Sequence, residues 1–408
     1  MRDEMKKVPR LRFRGFQEDW ELCKFEKLTD FFSGLTYSPD NVQKDGTFVL
    51  RSSNVKDNAI VSADNVYVRN EVANSEHVQV GDVIVVVRNG SRSLIGKHAP
   101  INREMPNTVI GAFMTGLRSP SPKFLKALLD TQQFNVEIHK NLGATINQIT
   151  TGEFKRMHFT VPIDEDEKEK IGSLFRQLDD IIALHQRKLD QLKELKTAYL
   201  QVIFPVKDER VPKLRFADFE EEWELCKLGD LANIVGGGTP NTNNPKCWDG
   251  NIDWYAPAEI KEKIYVTGSK KRITELGLQK SSAKVLPIGT VLFTSRAGIG
   301  NTAILAKKGT TNQGFQSIIP NKNKLDTYFI FSRTHELKKY GEAVGAGSTF
   351  VEVSGKQMAK MPMLTPRFNE QQAIGMFFKK IDDIITLHQN KLEQLKDLKT
   401  SYLQNMFI

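Results

Sequence analysis

The chain has 408 residues, which is enough for two or three domains with cores of their own. Apolar residues make up 39% and charged residues 26%, as in an ordinary globular protein, and no apolar run is long enough to span a membrane. Three cysteines are too few for a disulfide framework, and residues 1–7 lack the apolar core of a secretion signal, so we expect a cytoplasmic protein.

The framing segments of the chain repeat at a fixed offset of 203 residues. The segment 8–13 returns as 211–216, and the string Trp-Glu-Leu-Cys-Lys at 20–24 returns at 223–227. Downstream of these segments the two copies diverge until a long helix repeats as well. This pattern predicts one duplicated scaffold that carries two different inserts.

The first insert contains a predicted strand followed by a polar, basic loop. Residues 80–87 form an apolar run rich in β-branched residues, which is typical of a buried strand. Arg can bond guanine through two acceptors, Asn and Gln can do the same with adenine, and Lys and Ser suit phosphates. The candidate DNA-binding residues of this insert are Arg88, Asn89, Ser91, Arg92 and Lys97.

A long amphipathic helix is predicted from about 167 to 203, because apolar residues recur at two positions of each heptad. The helix returns in the second copy, where 178–201 and 381–404 are identical at 18 of 24 positions. Each helix is predicted to begin with a capping box, at 166–169 and 369–372.

Each long helix has one apolar stripe, which is unstable in water unless another surface covers it. The other copy is the expected partner, and two near-identical helices related by a pseudo-twofold axis run antiparallel. His185 and His388 share one heptad position and are interpreted as polar residues that fix the register. The residues predicted in the spacer-helix seam are Leu178, Ile182, His185, Leu189, Leu192, Ile381, Ile385, His388, Leu392 and Leu395.

The second insert is the more basic of the two. Residues 232–366 carry 18 Lys and Arg against 9 Asp and Glu, a net charge of +9, whereas 29–163 carry 14 against 12, a net charge of +2. A basic domain favours a polyanionic partner. A buried strand is predicted at 288–293, again followed by a polar loop with an arginine. The candidate DNA-binding residues here are Lys270, Lys271, Arg272, Ser295, Arg296, Asn301, Lys307, Asn312 and Gln313.

Motifs for catalysis are missing from the sequence. The segment 236–240, Gly-Gly-Gly-Thr-Pro, is not followed by the Gly-Lys-Ser/Thr of a phosphate-binding loop. The seven histidines show no metal-binding spacing, and no Asn-Pro-Pro-Tyr or Asp-Pro-Pro-Tyr string is present, which an adenine methyltransferase would use to hold a flipped base. We therefore expect no metal site and no catalytic residues in this chain.

The chain resembles the specificity subunits of type I restriction-modification systems over its full length. The resemblance rests on Phe216, Trp223-Glu-Leu, Gly237-Gly-Thr-Pro240, Trp254, Thr294-Ser-Arg296, Asn312-Gln-Gly-Phe315 and the helix that contains Asp382-Asp-Ile-Ile. The first insert departs from this pattern, because it lacks the Gly-Gly-Thr-Pro and Asn-Gln-Gly-Phe strings and has Gly-Ala-Phe at 111–113.

The resemblance implies a DNA-reading subunit without catalytic activity of its own. Its expected partners are double-stranded DNA, two methyltransferase subunits and two restriction subunits, with no membrane. No cofactor is expected on this chain, whereas S-adenosylmethionine, ATP and Mg²⁺ are expected on the partner subunits. Each insert would read one half of an asymmetric bipartite target, and the helix pair would set the spacer and dock the methyltransferase subunits.

The expected fold class is α+β, with two mixed α/β target-recognition domains joined by two long helices in an antiparallel coiled coil, and an internal pseudo-twofold repeat. The predicted domains are 1–163 and 205–366 for target recognition, and 164–204 and 367–408 for the spacer helices. The main alternative is a stand-alone tandem DNA-binding regulator. A coiled-coil interaction protein and an enzyme with an unrecognised site also remain open.

Overall fold

The computed structural model describes residues 8–142, 147–206, 208–260, 263–296, 298–346 and 352–408. The chain divides into two compact units, of which the first contains residues 1–187 and 389–408 and the second contains residues 188–388. Each unit therefore combines one insert with one half of each long helix. The first head is the part of the first unit before residue 164, and the second head is the part of the second unit between 208 and 366.

Twelve strands and four α-helices begin in the described part of the first unit. The strands are β1 (Glu21–Lys24), β2 (Asp30–Ser33), β3 (Val42–Gln43), β4 (Thr47–Leu50), β5 (Val55–Lys56), β6 (Ala59–Ile60), β7 (Val66–Val68), β8 (Val83–Val86), β9 (His98–Pro100), β10 (Thr108–Ile110), β11 (Met114–Arg118) and β12 (His158–Val161). The helices are α1 (Pro122–Leu129), α2 (Gln132–Asn141), α3 (Thr151–Arg156) and α4 (Glu165–Ile203), which continues into the second unit.

The predicted strand of the first insert is β8, and it is buried along its whole length. It lies inside an antiparallel sheet of order β2-β11-β8-β9. A second sheet has the order β10-β4-β7-β3, in which β10 and β4 are parallel. Strand β1, which carries the repeated Glu-Leu-Cys-Lys string, pairs with β12 at the end of the head.

The second unit also has two larger sheets and a terminal two-stranded sheet, but the numbers of strands differ. Its strands are β13 (Glu224–Lys227), β14 (Ala232–Gly236), β15 (Trp248–Tyr255), β16 (Tyr265–Val266), β17 (Lys271–Ile273), β18 (Val291–Phe293), β19 (Thr302–Leu305), β20 (Thr310–Thr311), β21 (Gln316–Pro320) and β22 (Pro362–Thr365). Its helices are α5 (Leu228–Leu231), α6 (Glu275–Gln279), α7 (Thr327–Ser332), α8 (Thr334–Gly345), α9 (Gly355–Ala359) and α10 (Phe368–Met406), which ends in the first unit. The sheets have the orders β14-β21-β18-β19-β16, β17-β15-β20 and β13-β22, and the buried β18 is the predicted strand.

The long helices α4 and α10 are present as the heptad pattern predicts, but the predicted capping boxes are wrong. Residues 166 and 369 lie inside the helices. Asp164 caps α4 instead, since its Oδ1 accepts hydrogen bonds from the backbone N–H groups of Asp166 at 2.7 Å and Glu167 at 3.3 Å. The first turn of α4 is acidic throughout, so the sequence offers several equivalent capping registers there.

The two long helices run antiparallel, as predicted. In the first unit Lys399, near the end of α10, donates to Asp179 Oδ1, near the start of α4, at 2.6 Å. In the second unit Lys196, near the end of α4, donates to Asp382 Oδ1, near the start of α10, at 2.6 Å. The same ion pair is thus made twice with the roles of the helices exchanged, which only an antiparallel pair allows.

The phenylalanine that follows each long helix lies in the core of a head. Phe407 follows α10 and contacts Trp20 of the first head, with ring centroids 6.1 Å apart. Phe204 follows α4 and contacts Trp223 of the second head, also at 6.1 Å. Both phenylalanines and both tryptophans are buried, so the repeated Trp-Glu segment is explained by core packing.

A buried Arg–Glu pair ties each Leu-Arg-Phe segment to the start of a long helix. Arg12 donates to both carboxylate oxygens of Glu167 at 2.7 and 2.8 Å, and Arg215 does the same with Glu370 at 2.8 and 2.7 Å. Glu167 and Glu370 are almost fully buried. The hydrogen bonds that the two arginines donate to these carboxylates raise the pKa of both arginines.

The predicted seam positions are mostly covered. Buried members are Leu178, Leu189, Ile381, Ile385, Leu392 and Leu395, and half-buried members are Ile182, His185, Leu192 and His388.

Candidate nucleic-acid interface

The first head holds its predicted loop at the end of β8. Arg88 is exposed, its backbone bridges that of Gln148, and its guanidinium lies over the ring of Phe113 at 5.0 Å. The side-chain amide of Asn89 donates to Ser52 Oγ at 3.1 Å. Three other segments of the head therefore hold the loop where it leaves the sheet.

The rest of the loop is open to solvent. Ser91, Arg92 and Lys97 are exposed, and the Ser91 hydroxyl is hydrogen-bonded to that of Ser93 at 2.9 Å. The loop ends at His98, which is buried. All five predicted residues of the first insert thus belong to one loop with fixed ends.

The Gly-Gly-Thr-Pro segment of the second head packs directly against the loop that carries two predicted residues. A Cβ on Gly237 would lie 1.9 Å from the carbonyl oxygen of Asn312, so only glycine fits there. The Thr239 hydroxyl donates to Gln313, whose side chain is exposed. The glycines are therefore explained by close packing that supports the 312–313 loop.

The loop after β18 presents one exposed predicted residue and buries another. Arg296 is exposed and forms an ion pair with Glu352, with Nε and Oε1 2.8 Å apart. Ser295 is fully buried, and its hydroxyl has no hydrogen-bond partner among the described residues. Asn301 is half-buried, and its amide donates to the Gly298 carbonyl at 3.3 Å.

The basic run of the second insert lies at the edge of a sheet. Lys270, Lys271 and Arg272 are exposed at β17, and the Lys271 ammonium lies 5.6 Å from the ring centre of Trp248. Strand β17 pairs with β15, which pairs with β20, and β20 leads directly into the 312–313 loop. Lys307 is exposed as well, on the turn after β19.

An arginine occupies the same backbone position in both heads. Arg88 bridges Gln148, and Arg296 bridges Glu352. In each case the residue after the bridge partner donates its backbone N–H to the carbonyl of the residue before the arginine, at 2.9 and 3.1 Å. The two arginines are 208 residues apart rather than 203, so the fixed offset does not bring them into register.

Three residues of these surfaces escaped the sequence patterns, namely Phe113, Gln148 and Glu352. Phe113 is 49% exposed, although it is a large aromatic residue. The sequence did contain a signal for Phe113. Gly-Ala-Phe at 111–113 lies directly before β11, just as Asn-Gln-Gly-Phe at 312–315 lies directly before β21 in the second head. Gln148 and Glu352 are polar residues in variable segments, and nothing in the sequence distinguishes them from other such residues.

Two further properties concern the described part of the chain. Among its His, Cys, Asp and Glu residues, no group of three or more is arranged to hold a metal ion. None of its helices combines the length and the apolar composition needed to cross a bilayer.

The two halves of the repeat each match the same family of known proteins. A family model described as "Type I restriction modification DNA specificity domain" matches residues 17–194 and again residues 220–397. The chain belongs to this family.

Individual members of the type I specificity family resemble one half of the chain or all of it. The specificity subunit of the type I restriction enzyme MjaIX from Methanocaldococcus jannaschii is 33% identical over 191 residues, which cover 46% of this chain and 44% of that relative. The specificity subunit of the Escherichia coli K12 enzyme EcoKI is 26% identical over 419 residues, which cover 96% and 89%.

A solved structure shows the same fold. The crystal structure of the S subunit of a type I restriction-modification system from M. genitalium covers 98% of this chain and 99% of its own, with a TM-score of 0.68 at 14% identity. The fold class predicted from the heptads and the repeat is therefore confirmed. Membership of the type I specificity family confirms the predicted resemblance and supports a DNA-specificity subunit, not a stand-alone regulator.

Proposed function

We propose that this chain selects DNA for a type I restriction-modification complex, with each head reading one half of an asymmetric bipartite target. The observation that carries the proposal is the arginine that both heads place at the same backbone position, on loops that otherwise differ. Arginine at a fixed loop is suited to guanine in the major groove. Because the residues around Arg88 and Arg296 differ, the two half-sites should differ in sequence.

The predicted loop residues that are exposed or half-buried form the proposed DNA-contacting set. Those in the first head are Arg88, Asn89, Ser91, Arg92 and Lys97, and those in the second are Lys270, Lys271, Arg272, Arg296, Asn301, Lys307, Asn312 and Gln313. Ser295 is left out because its side chain is buried. The second head should show the steeper loss of DNA affinity with salt, since its insert is the more positively charged.

The helix pair is proposed to set the spacer and to dock two methyltransferase subunits. Each long helix has 39 residues, or about 58 Å at the α-helical rise. Three large apolar residues that each unit exposes on these helices recur with the same identities at the 203-residue offset. They are Ile181, Leu184 and Leu398 in the first unit and Ile384, Leu387 and Leu195 in the second. A set of exposed apolar residues that is present twice fits two copies of one protein partner.

The remaining roles are assigned to the partners. The chain is proposed to be non-catalytic and to bind no cofactor, so that S-adenosylmethionine, ATP and Mg²⁺ act on the two methyltransferase and two restriction subunits. The complex is proposed to work in the cytoplasm, on double-stranded DNA.

Mapping of methylated adenines in genomes with and without this chain tests the function. We expect one bipartite, asymmetric motif to be methylated only when the chain is present together with its methyltransferase subunit. Replacement of residues 232–366 by the matching insert of another family member should change one half of the motif only. A change in both halves would contradict the modular assignment.

The spacer role has a separate test. One added turn of helix between residues 190 and 200, with a compensating turn at the equivalent place in α10, should lengthen the spacer and leave both half-sites unchanged. An unaltered spacer would show that the helix pair does not set it.

A further inference from the structure

Each head fixes one more polar residue beside its strand-end arginine. Gln148 in the first head and Glu352 in the second are half-buried where they bridge the arginine. The residues that follow them, Ile149 and Val353, are fully buried in the heads. Side chains alternate along an extended segment, so Gln148 and Glu352 point away from the core and towards the surface that carries the arginine.

A capped helix follows each of these residues and holds its backbone. Thr150 caps α3 with the help of Glu153, and Ser354 caps α9 with the help of Gln357. The residue at the bridge is thus fixed by a strand on one side and by a helix start on the other. A side chain on such a support loses little conformational freedom when it binds a ligand.

The two heads carry different chemistry at this position. In the second head, Glu352 accepts from Arg296 at 2.8 Å, and both side chains are partly exposed. In the first head the position holds Gln148, and the Arg88 guanidinium lies over Phe113. A carboxylate only accepts hydrogen bonds, which suits the amino group of cytosine, whereas an amide donates and accepts, which suits adenine.

We propose that Gln148 and Glu352 are specificity-determining residues, each of which selects one base of the half-site that its own head reads. The proposal rests on the DNA-reading function proposed above. It assigns an acceptor-only contact, matched to cytosine, to the second head and a donor–acceptor contact, matched to adenine, to the first. The neighbouring arginine is free to bond guanine in either head once DNA replaces its present contact.

Isosteric exchanges at this position test the proposal. The wild-type chain, Glu352→Gln and Gln148→Glu are each co-expressed with the methyltransferase subunit of the same system, and methylated adenines are mapped across the host genome. We expect Glu352→Gln to change the relative preference between bases at one position of the second half-site by roughly tenfold. The first half-site should stay unchanged. Gln148→Glu should do the reverse.

Glu222→Gln is the matched control, because it makes the same exchange at an exposed carboxylate of the second head, 3.9 Å from Arg210 and outside the proposed DNA-contacting set. It should leave the methylated motif unchanged. Motifs identical to wild type in both exchange variants would overturn the proposal, and so would a change in both half-sites from either one. A wild-type chain that directs no methylation would overturn the proposed function and this inference with it.

Discussion

The two units share the contacts that their repeated segments make, but the residues that each head places against the helix pair differ. In the first unit Asp130, at the end of α1, joins the ion pair of Lys399 and Asp179. In the second unit the hydroxyl of Tyr328, in α7, joins the ion pair of Lys196 and Asp382 at 2.8 Å. The helix residues recur, whereas the head residues that meet them do not.

Asp130 is the centre of a buried ionic network in the first unit. It accepts from His98 at 2.9 Å, from Lys126 at 2.5 Å and from Lys399 at 2.6 Å, and its side chain is 4% exposed. Burial alone would raise the pKa of Asp130, but the His98 hydrogen bond and the two lysine charges hold it well below the usual range. Burial lowers the pKa of Lys399, but the charges of Asp130 and Asp179 raise it by more, so the net shift is upward.

In the second unit a single neutral donor, the Tyr328 hydroxyl, contacts the ion pair of the helices. Burial and the charge of Asp382 raise the pKa of Tyr328, which stays protonated and donates to that carboxylate. The duplicated helices therefore supply one constant ion pair, and each head places its own residues against it. The first head adds charge of both signs, and the second adds a hydroxyl. Substitutions can separate the contacts that both units share from those that only one head makes.

The largest effect is expected from Asp130→Ala. The substitution leaves the half-buried Lys126 and Lys399 around one remaining carboxylate, which should lower the free energy of unfolding by about 3–5 kcal/mol. Hydrogen exchange followed by mass spectrometry should show faster exchange in the first head and unchanged exchange in the second. Asp383→Ala, which removes an exposed ion pair with Lys379, is the control and should cost less than about 1 kcal/mol.

The buried Arg–Glu pairs should contribute about equally to the stability of the two units. Arg12→Met and Arg215→Met each leave a buried glutamate without its cation, and we expect each to cost about 3 kcal/mol in its own unit. Glu370 keeps one hydrogen bond, which it accepts from Trp223 Nε1 at 3.3 Å. Urea unfolding of the full chain, with exchange rates assigned to each head, measures both. Costs that differ by more than about 1 kcal/mol would show that the repeated Arg–Glu pairs do not stabilise the two units equally.

A smaller effect is expected from Tyr328→Phe. The variant removes one hydrogen bond to a buried carboxylate, and Lys196 still neutralises Asp382, so the cost should be about 2 kcal/mol. Thermal unfolding with exchange rates for the second head is the measurement. Tyr340→Phe serves as the control, because its hydroxyl donates only to a backbone carbonyl.

The smallest effect is expected when the pH is lowered from neutral to mildly acidic values. Because the folded-state pKa of Asp130 lies below its unfolded-state value of about 3.9, the stability that it adds is fully present above that value and is lost as the pH falls below about 4. Between pH 7 and pH 5 the difference in stability between wild type and Asp130→Asn should therefore stay constant. A difference that shrinks across this range would mean that Asp130 titrates near its ordinary pKa.

The sequence revealed the features that are periodic or local. The long helices follow from the heptads, and the two buried strands follow from short runs of β-branched residues. The Arg12–Glu167 contact was not foreseen, because its partners are 155 residues apart and hydrophobic periodicity does not report on buried ion pairs. A signal existed, since both residues recur at the 203-residue offset as Arg215 and Glu370.

The site was predicted less completely than the frame. Most predicted loop residues are exposed, but Ser295 is fully buried, as are Phe293 and Thr294 before it, so burial continues past the end of β18 where the sequence already turns polar. The role of Asp130 could not be foreseen, since the first head has no repeat partner for it in the second. Contacts that only one head makes leave no internal copy for comparison.

The placement of Phe407 has a consequence for the order of folding during synthesis. The second unit is one continuous stretch, 188–388, whereas the first unit needs residues 389–408 to complete its core. On a ribosome the head that is made first must therefore wait for the last turns of α10, with the faces of Trp20 and Phe124 that Phe407 covers still open. A premature stop near residue 389 would leave the second unit with all its residues and the first, although earlier in the chain, without its closing segment.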